Sequence, residues 1–277
     1  MSLLPRIEVA GFSEERLAAF RAHQRTAHDT LQAVAASLEV GETEREATRR
    51  IHAAFRARGV RRYFHVPVAL FGERTAYPGD FGAFGALPTD TVLKPDMPVI
   101  LDAAPVIDGH VVDVSLPVEF GTVPGYAELM AELRPFRERI PELLRSGASF
   151  REVARAVDRD IRARGLENCH RKHIGAVLGH RVTWAADHWL ARRRVWGLGA
   201  WHAGWFVGRS LAAQRRGDTG SPNWNHGRES DHAPTDGLWA VEPHIARDGV
   251  GVKFEEILVI QDGEIFWLDE NLYGRRG

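Results

Sequence analysis

Residues 147–166 read GASFREVARAVDRDIRARGL, and residues 41–60 read GETEREATRRIHAAFRARGV. Gly41 matches Gly147, Thr43 matches Ser149, Glu46 matches Glu152, and RARG closes both segments at Gly59 and Gly165. Thr or Ser followed three residues later by Glu is the pattern of a capping box, which satisfies exposed N–H groups at a helix start. Gly beyond the last turn supplies the left-handed backbone that ends a helix. Ala47, Ile51 and Phe55 in one segment, and Val153, Val157 and Ile161 in the other, fall on a single apolar face. Equal length and a shared closing tetrapeptide favour a duplicated α+β unit, offset by 106 residues. A site in such a chain falls naturally at the seam between the halves.

Outward from these helices, Leu17, Phe20, Leu31, Val34 and Leu38 predict a long amphipathic helix over 13–38. Strand-like runs follow around 63–71, 98–104 and 110–115, then a helix over 125–144 interrupted near Pro135 and Pro141. Residues 238–268 are strand-rich, with Asp262-Gly263 as a hairpin turn. Residues 183–237 break the pattern. They hold Trp184, Trp189, Trp196, Trp201, Trp205 and Trp224 with His188, His202, His226 and His232, and their second half reads as loop. The expected organisation is one domain, 1–277, with this stretch as an insertion. Trp201, His202 and Trp205 fit a lid that lines a substrate pocket, and the insertion equally fits a subdomain or subunit contact.

Charge and composition narrow the partners. A net charge of −1 gives no general attraction to nucleic acid or an anionic membrane. Arg dominates the basic residues, and Lys occurs only at Lys94, Lys172 and Lys253. Cys169 is alone, so no intramolecular disulfide forms. The N-terminus lacks a signal-peptide pattern, and no apolar run reaches the ~18 residues of a membrane span. A cytoplasmic protein is expected.

Five residues carry metal-type donors. Asp102 ends the run MPVILD, and Asp113 follows IDGHVV. A tight turn at Asp108-Gly109 would set strands 99–104 and 110–115 side by side, with both carboxylates near one edge. His173 lies seven residues before His180 in HIGAVLGH, and Glu242 lies in AVEPHI. Glu255 lies in VKFEEILVI, where a buried acid is costly unless paired or metal-bound. Glu256 should point to the opposite face. Hard carboxylates and an imidazole, with a single Cys in the chain, suit two divalent ions rather than structural zinc. Two ions about 3.5–4 Å apart can share a hydroxide and polarise a carbonyl, which is hydrolase chemistry.

Together these residues resemble the pita-bread metallopeptidase family of methionine aminopeptidase, aminopeptidase P and prolidase. Its ligand order Asp, Asp, His, Glu, Glu is met by Asp102, Asp113, His173, Glu242 and Glu255, over roughly 15–182 and 238–270. GVKFEE and ILVIQDG resemble the ending of prolidase and aminopeptidase P. The resemblance implies a pita-bread α+β fold, with pseudo-twofold halves around a curved antiparallel sheet. It implies two divalent ions (Mn, Co, Fe or Zn), Asp102 on one, His173 and Glu242 on the other, and Asp113 and Glu255 bridging. Water activated by the ions would be the nucleophile, Glu242 would take its proton, and His180 would hydrogen-bond the substrate carbonyl or the tetrahedral intermediate. Small molecules or short peptides are then the substrates, and a homodimer is the assembly considered.

Several departures are visible. Aligning Ile174-Gly175 with the family's Ile-Gly would put Lys172 on the ligand position, whereas the His173 register keeps the spacing to His180. Gly79 stands near where relatives carry a substrate-binding His, and Lys253 stands where prolidase-like members carry Arg. No counterpart of the N-terminal creatinase-like domain of aminopeptidase P is expected from these residues. These departures keep two other functions open: a non-peptidase enzyme, such as a creatinase-like amidinohydrolase or a lyase, and a non-catalytic binding module.

Overall fold

The computed structural model describes residues 6–79, 81–186, 188–189, 193–195, 198–216 and 220–273; Trp196 lies outside them. Helix α1 (Glu14–Ala35) starts at Ser13, whose side chain accepts from the Arg16 N–H. Both capping boxes form, Thr43 with Glu46 on α2 (Glu44–Ala57) and Ser149 with Glu152 on the later helix Phe150–Ala163. Gly59 and Gly165 follow these helices at φ 84° and 67°, in the left-handed region glycine tolerates. No helix among the described residues is long and apolar enough to cross a membrane.

Each half repeats one plan. In the first, β1 (Val68–Phe71) and β2 (Met97–Ala103) lead to a small hairpin, β3 (Val106–Ile107) and β4 (His110–Val111), and then to β5 (Val114–Phe120). Strand β2 lies between β1 and β5, antiparallel to both. Next come α3 (Tyr126–Leu133), α4 (Pro135–Arg145) and α5 (Phe150–Ala163). The second half contains β6 (Val177–Val182), α6 (Ala200–Arg216), β7 (Asn223–Asn225) and β8 (Gly237–Val241). Its hairpin is β9 (His244–Arg247) and β10 (Val250–Lys253), followed by β11 (Glu256–Gln261) and β12 (Glu264–Trp267). The second sheet runs β7-β6-β8-β11-β12, all antiparallel.

The two hairpins turn at Asp108-Gly109 (φ 47° and 82°) and Asp248-Gly249 (φ 52° and 79°). Positive φ at both central residues suits the right-handed twist of the flanking strands. In each half a carboxylate lies within one residue of the end of the strand before the hairpin, Asp102 or Glu242, and another immediately precedes the strand after it, Asp113 or Glu255. An isolated bridge pairs Ser115 with Glu255 and joins the halves there.

Local details differ from the sequence reading. The turn at 108–109 forms, but its arms are only two residues long, and Asp102 pairs with Ser115 across β2 and β5. Residues 112–113 carry the chain from the small hairpin to β5, so 110–115 is not one strand. The expected break in the 125–144 helix forms at Pro135, which lacks an N–H and takes the first position of α4, but none forms at Pro141, which lies inside α4. The second half of the insertion is not all loop. Strand β7 adds an edge to the second sheet, and Trp224 is buried there, with its indole N–H donating to the Phe150 carbonyl at 2.7 Å.

One apolar core lies between α1, α2 and the first sheet, with Phe20, Leu31, Ile51 and Phe55. Another lies between α3–α5 and the second sheet, with Phe136, Phe150, Trp224 and Trp239. Beside the second, Asp158 on α5 is buried and accepts from Arg171 (2.5 Å), Asn168 (2.7 Å) and His170 (3.2 Å). Burial alone would raise its pKa; His170 and Arg171 outweigh that and pull it from 3.8 to about 2. A depressed carboxylate pKa gives stability that is present above the unfolded value and lost as pH falls through the folded one, about 1–2 kcal/mol here. Asp158→Asn should therefore lower the urea midpoint at pH 6, with the gap to wild type closing between pH 4 and 2.

Candidate metal centre at the seam

The Ser115–Glu255 bridge brings four carboxylates together in the interior. Asp113 is 0% exposed, Glu255 1%, Asp102 6% and Glu242 7%. Carboxylates removed from water stay ionised only with cations nearby.

The first cation is a lysine outside the expected ligand set. Lys253 ends β10, two residues before Glu255, and is 3% exposed. Its Nζ lies 2.5 Å from Asp102 Oδ2, 3.1 Å from Glu255 Oε2 and 3.2 Å from Glu242 Oε2. An ammonium has three donors, and here it meets three carboxylates from both halves. Burial opposes its charge, but Asp102, Glu255 and Glu242 outweigh burial and hold its pKa well above the ordinary lysine value. The signal was present in the sequence: one of three lysines, inside an apolar strand run.

His65 was also missed, and no spacing to the other donors marks it. It precedes β1, is partly exposed, and places Nε2 3.1 Å from Asp113 Oδ1 and 3.4 Å from Asp102 Oδ1. Burial lowers the pKa of His65, and Asp113 and Asp102 overcome this to push it up to about 10. His180 on β6 lies with Nε2 3.1 Å from Asp113 Oδ2 and 3.9 Å from Glu255 Oε1. Burial raises the pKa of Asp113, and His65 and His180 reverse this, holding it well below the usual carboxylate range. Glu255 is pushed the other way, by burial first and then by Asp113.

Among the described residues, two sets of donor atoms lie within 4.8 Å of one another: His65–Asp102–Asp113 and Asp113–His180–Glu255. Asp113 belongs to both. His173 and Glu242 belong to neither. Glu242 is turned to Lys253, and His173 lies before a turn at Gly175 and Ala176 (φ 76° and 47°), with its ring centre 6.0 Å from that of Tyr77. Lys172 does not enter the cluster; its Nζ donates to Glu167 at 2.9 Å.

The donor set fits a divalent ion. Asp102 Oδ1, Asp113 Oδ2 and Glu255 Oε2 are buried without an aligned hydrogen bond, although cationic nitrogens lie within ion-pair distance of them. Carboxylate oxygen with imidazole nitrogen suits Mn, Fe, Co or Zn.

The insertion reaches the cluster through an unexpected residue. The His180 ring stacks on Phe64 (5.3 Å between centres) and meets the edge of Phe206 on α6 (5.8 Å). His202 places Nδ1 2.8 Å from Thr183 Oγ1.

The family profile of metallopeptidase family M24 matches residues 18–262. The chain belongs to that family. No curated protein sequence matches it. Among solved structures it is similar to an X-Pro aminopeptidase from Thermotoga maritima, at 15% identity and a TM-score of 0.66, over 93% of this chain and 61% of that one. It is also similar to a prolidase from Pyrococcus furiosus, at 14% identity and a TM-score of 0.63, over 92% of this chain and 64% of that one. At such identities the likeness shows the fold, the α+β pita-bread architecture. The chain spans under two thirds of the length of both structures.

Proposed function

We propose that the chain is a metal-dependent hydrolase that cleaves a peptide or amide bond in a small substrate, in the manner of an aminopeptidase or Xaa-Pro peptidase. The observation that carries this reading is the cluster of buried carboxylates and imidazoles at the seam of an M24 chain. The sequence reading expects two divalent ions there. Bound divalent metal supplies Lewis acidity and brings the pKa of water toward neutrality.

The chain's own groups account for the rest. Asp113 and Glu255, one from each half, bring the ligand oxygens together; Asp102, Glu242 and an imidazole complete the set. The sequence assigns that imidazole to His173, and the distances favour His180. Lys253 and His173 outweigh burial to keep Glu242 ionised, able to accept a proton as general base. His65, at the partly exposed edge, is placed to donate to a substrate carbonyl oxygen. Phe64 and Phe206 form an apolar wall over His180. Phe206→Ala should raise KM about tenfold with little change in kcat, since the wall binds substrate without touching the reacting bond.

The test is elemental analysis of purified protein beside a panel of short peptides, including Xaa-Pro dipeptides. Metal should be present, and cleavage should stop on chelation and return with added ion. Cleavage that persists in stripped protein would sink the proposal. Lys253, which already compensates three carboxylates, favours one second reading, a non-peptidase enzyme of the amidinohydrolase or lyase kind. Bound metal with every peptide left intact would point there.

A further inference from the structure

We infer that Lys253 takes the place of one metal ion, so that the centre holds a single divalent ion, at Asp113, His180 and Glu255. The inference rests on the metal-dependent reading above and revises its number of ions.

An ion on Asp102 would sit about 2.0–2.2 Å from a carboxylate oxygen. Nζ of Lys253 already lies 2.5 Å from Asp102 Oδ2 and also contacts Glu242 and Glu255. Two cations cannot share so small a volume without strong repulsion. The lysine is not free to leave. Its residue pairs with His244 across β9 and β10, and Gly251, two residues earlier, donates its N–H to Thr75 Oγ1 at 2.9 Å. Its side chain is 3% exposed, so the ammonium has no nearby water to retreat into.

The opposite side of the cluster is different. Asp113, His180 and Glu255 offer one donor atom each within 4.8 Å of one another; Glu255 turns Oε1 to His180 at 3.9 Å and Oε2 to Lys253 at 3.1 Å, so its two oxygens serve an ion and the ammonium separately. Asp113 Oδ2 is buried there without an aligned hydrogen bond.

The test is titration of the metal-stripped full-length protein with Mn(II), followed by electron paramagnetic resonance and calorimetry. Wild type should bind one Mn per chain, with the hyperfine-resolved signal of an isolated ion. Lys253→Met keeps the side-chain length and removes the charge; it should bind two, with the broadened spectrum of an exchange-coupled pair. Thermal melting with Mn present checks that the variant is folded; if it is not, the wild-type count decides. A coupled pair in wild type would overturn the inference and leave the hydrolase reading standing. No binding by wild type would overturn both. One isolated ion in folded Lys253→Met as well would show that the lysine does not set the count.

Discussion

Glu255→Gln should lose tightly bound metal and at least ~10³-fold in kcat/KM together, a loss of several kcal/mol of transition-state stabilisation. Glu255 belongs to the Asp113–His180 set and also contacts Lys253, so it links the donor set to the ammonium. The amide keeps the volume and leaves the backbone bridge to Ser115 intact, but it removes the charge that draws an ion. Glu255→Ala should have the same effect with a larger loss of stability, since Lys253 and His180 both lose a facing group. Elemental analysis, circular dichroism and steady-state kinetics on the same preparation check this. A folded Glu255→Gln protein with its full metal complement would remove Glu255 from the ligand set.

Gly251→Ala should destabilise the whole domain by about 1–3 kcal/mol, the usual cost of forcing a methyl group into a packed interior. An added Cβ would meet the Thr75 carbonyl oxygen at 2.0 Å and its carbon at 2.3 Å. These are backbone atoms with little room to move, and the same carbonyl lies 2.7 Å from His244 Nε2. The melting temperature should fall by about 2–4 °C per kcal/mol for a chain of this size. The methyl group also pushes β10 away from Thr75 and carries Lys253 with it. Weaker metal binding should therefore accompany the lower melting temperature. A variant with unchanged melting and unchanged metal binding would show that the contact is slack.

Much of this was legible in the sequence because the information was local. The capping boxes at Thr43 and Ser149, the turns at Asp108-Gly109 and Asp262-Gly263, and the Pro135 break each follow from a few adjacent residues. The repeated capping box and closing RARG at 41–60 and 147–166 pointed to a seam between two halves. What stayed hidden depended on distance in three dimensions. His65 carries no spacing signal, because it reaches Asp113 across 48 residues. Lys253 was read as a substitution, not as a cation, because sequence does not reveal that three carboxylates converge on one nitrogen. Phe206 faces His180, and this could not be read ahead because which side of α6 turns inward depends on how the insertion packs.

The bridge from Ser115 to Glu255 joins residues 140 positions apart, and it has a consequence for the order in which the molecule acquires its parts. Helices and small hairpins close through near neighbours, while a contact this remote must first overcome the entropy of a long loop. Four carboxylates repel one another until Lys253 arrives with the same hairpin as Glu255. On dilution from denaturant, helical signal should therefore return before ion-binding capacity, and the interval between them should shorten as ionic strength rises.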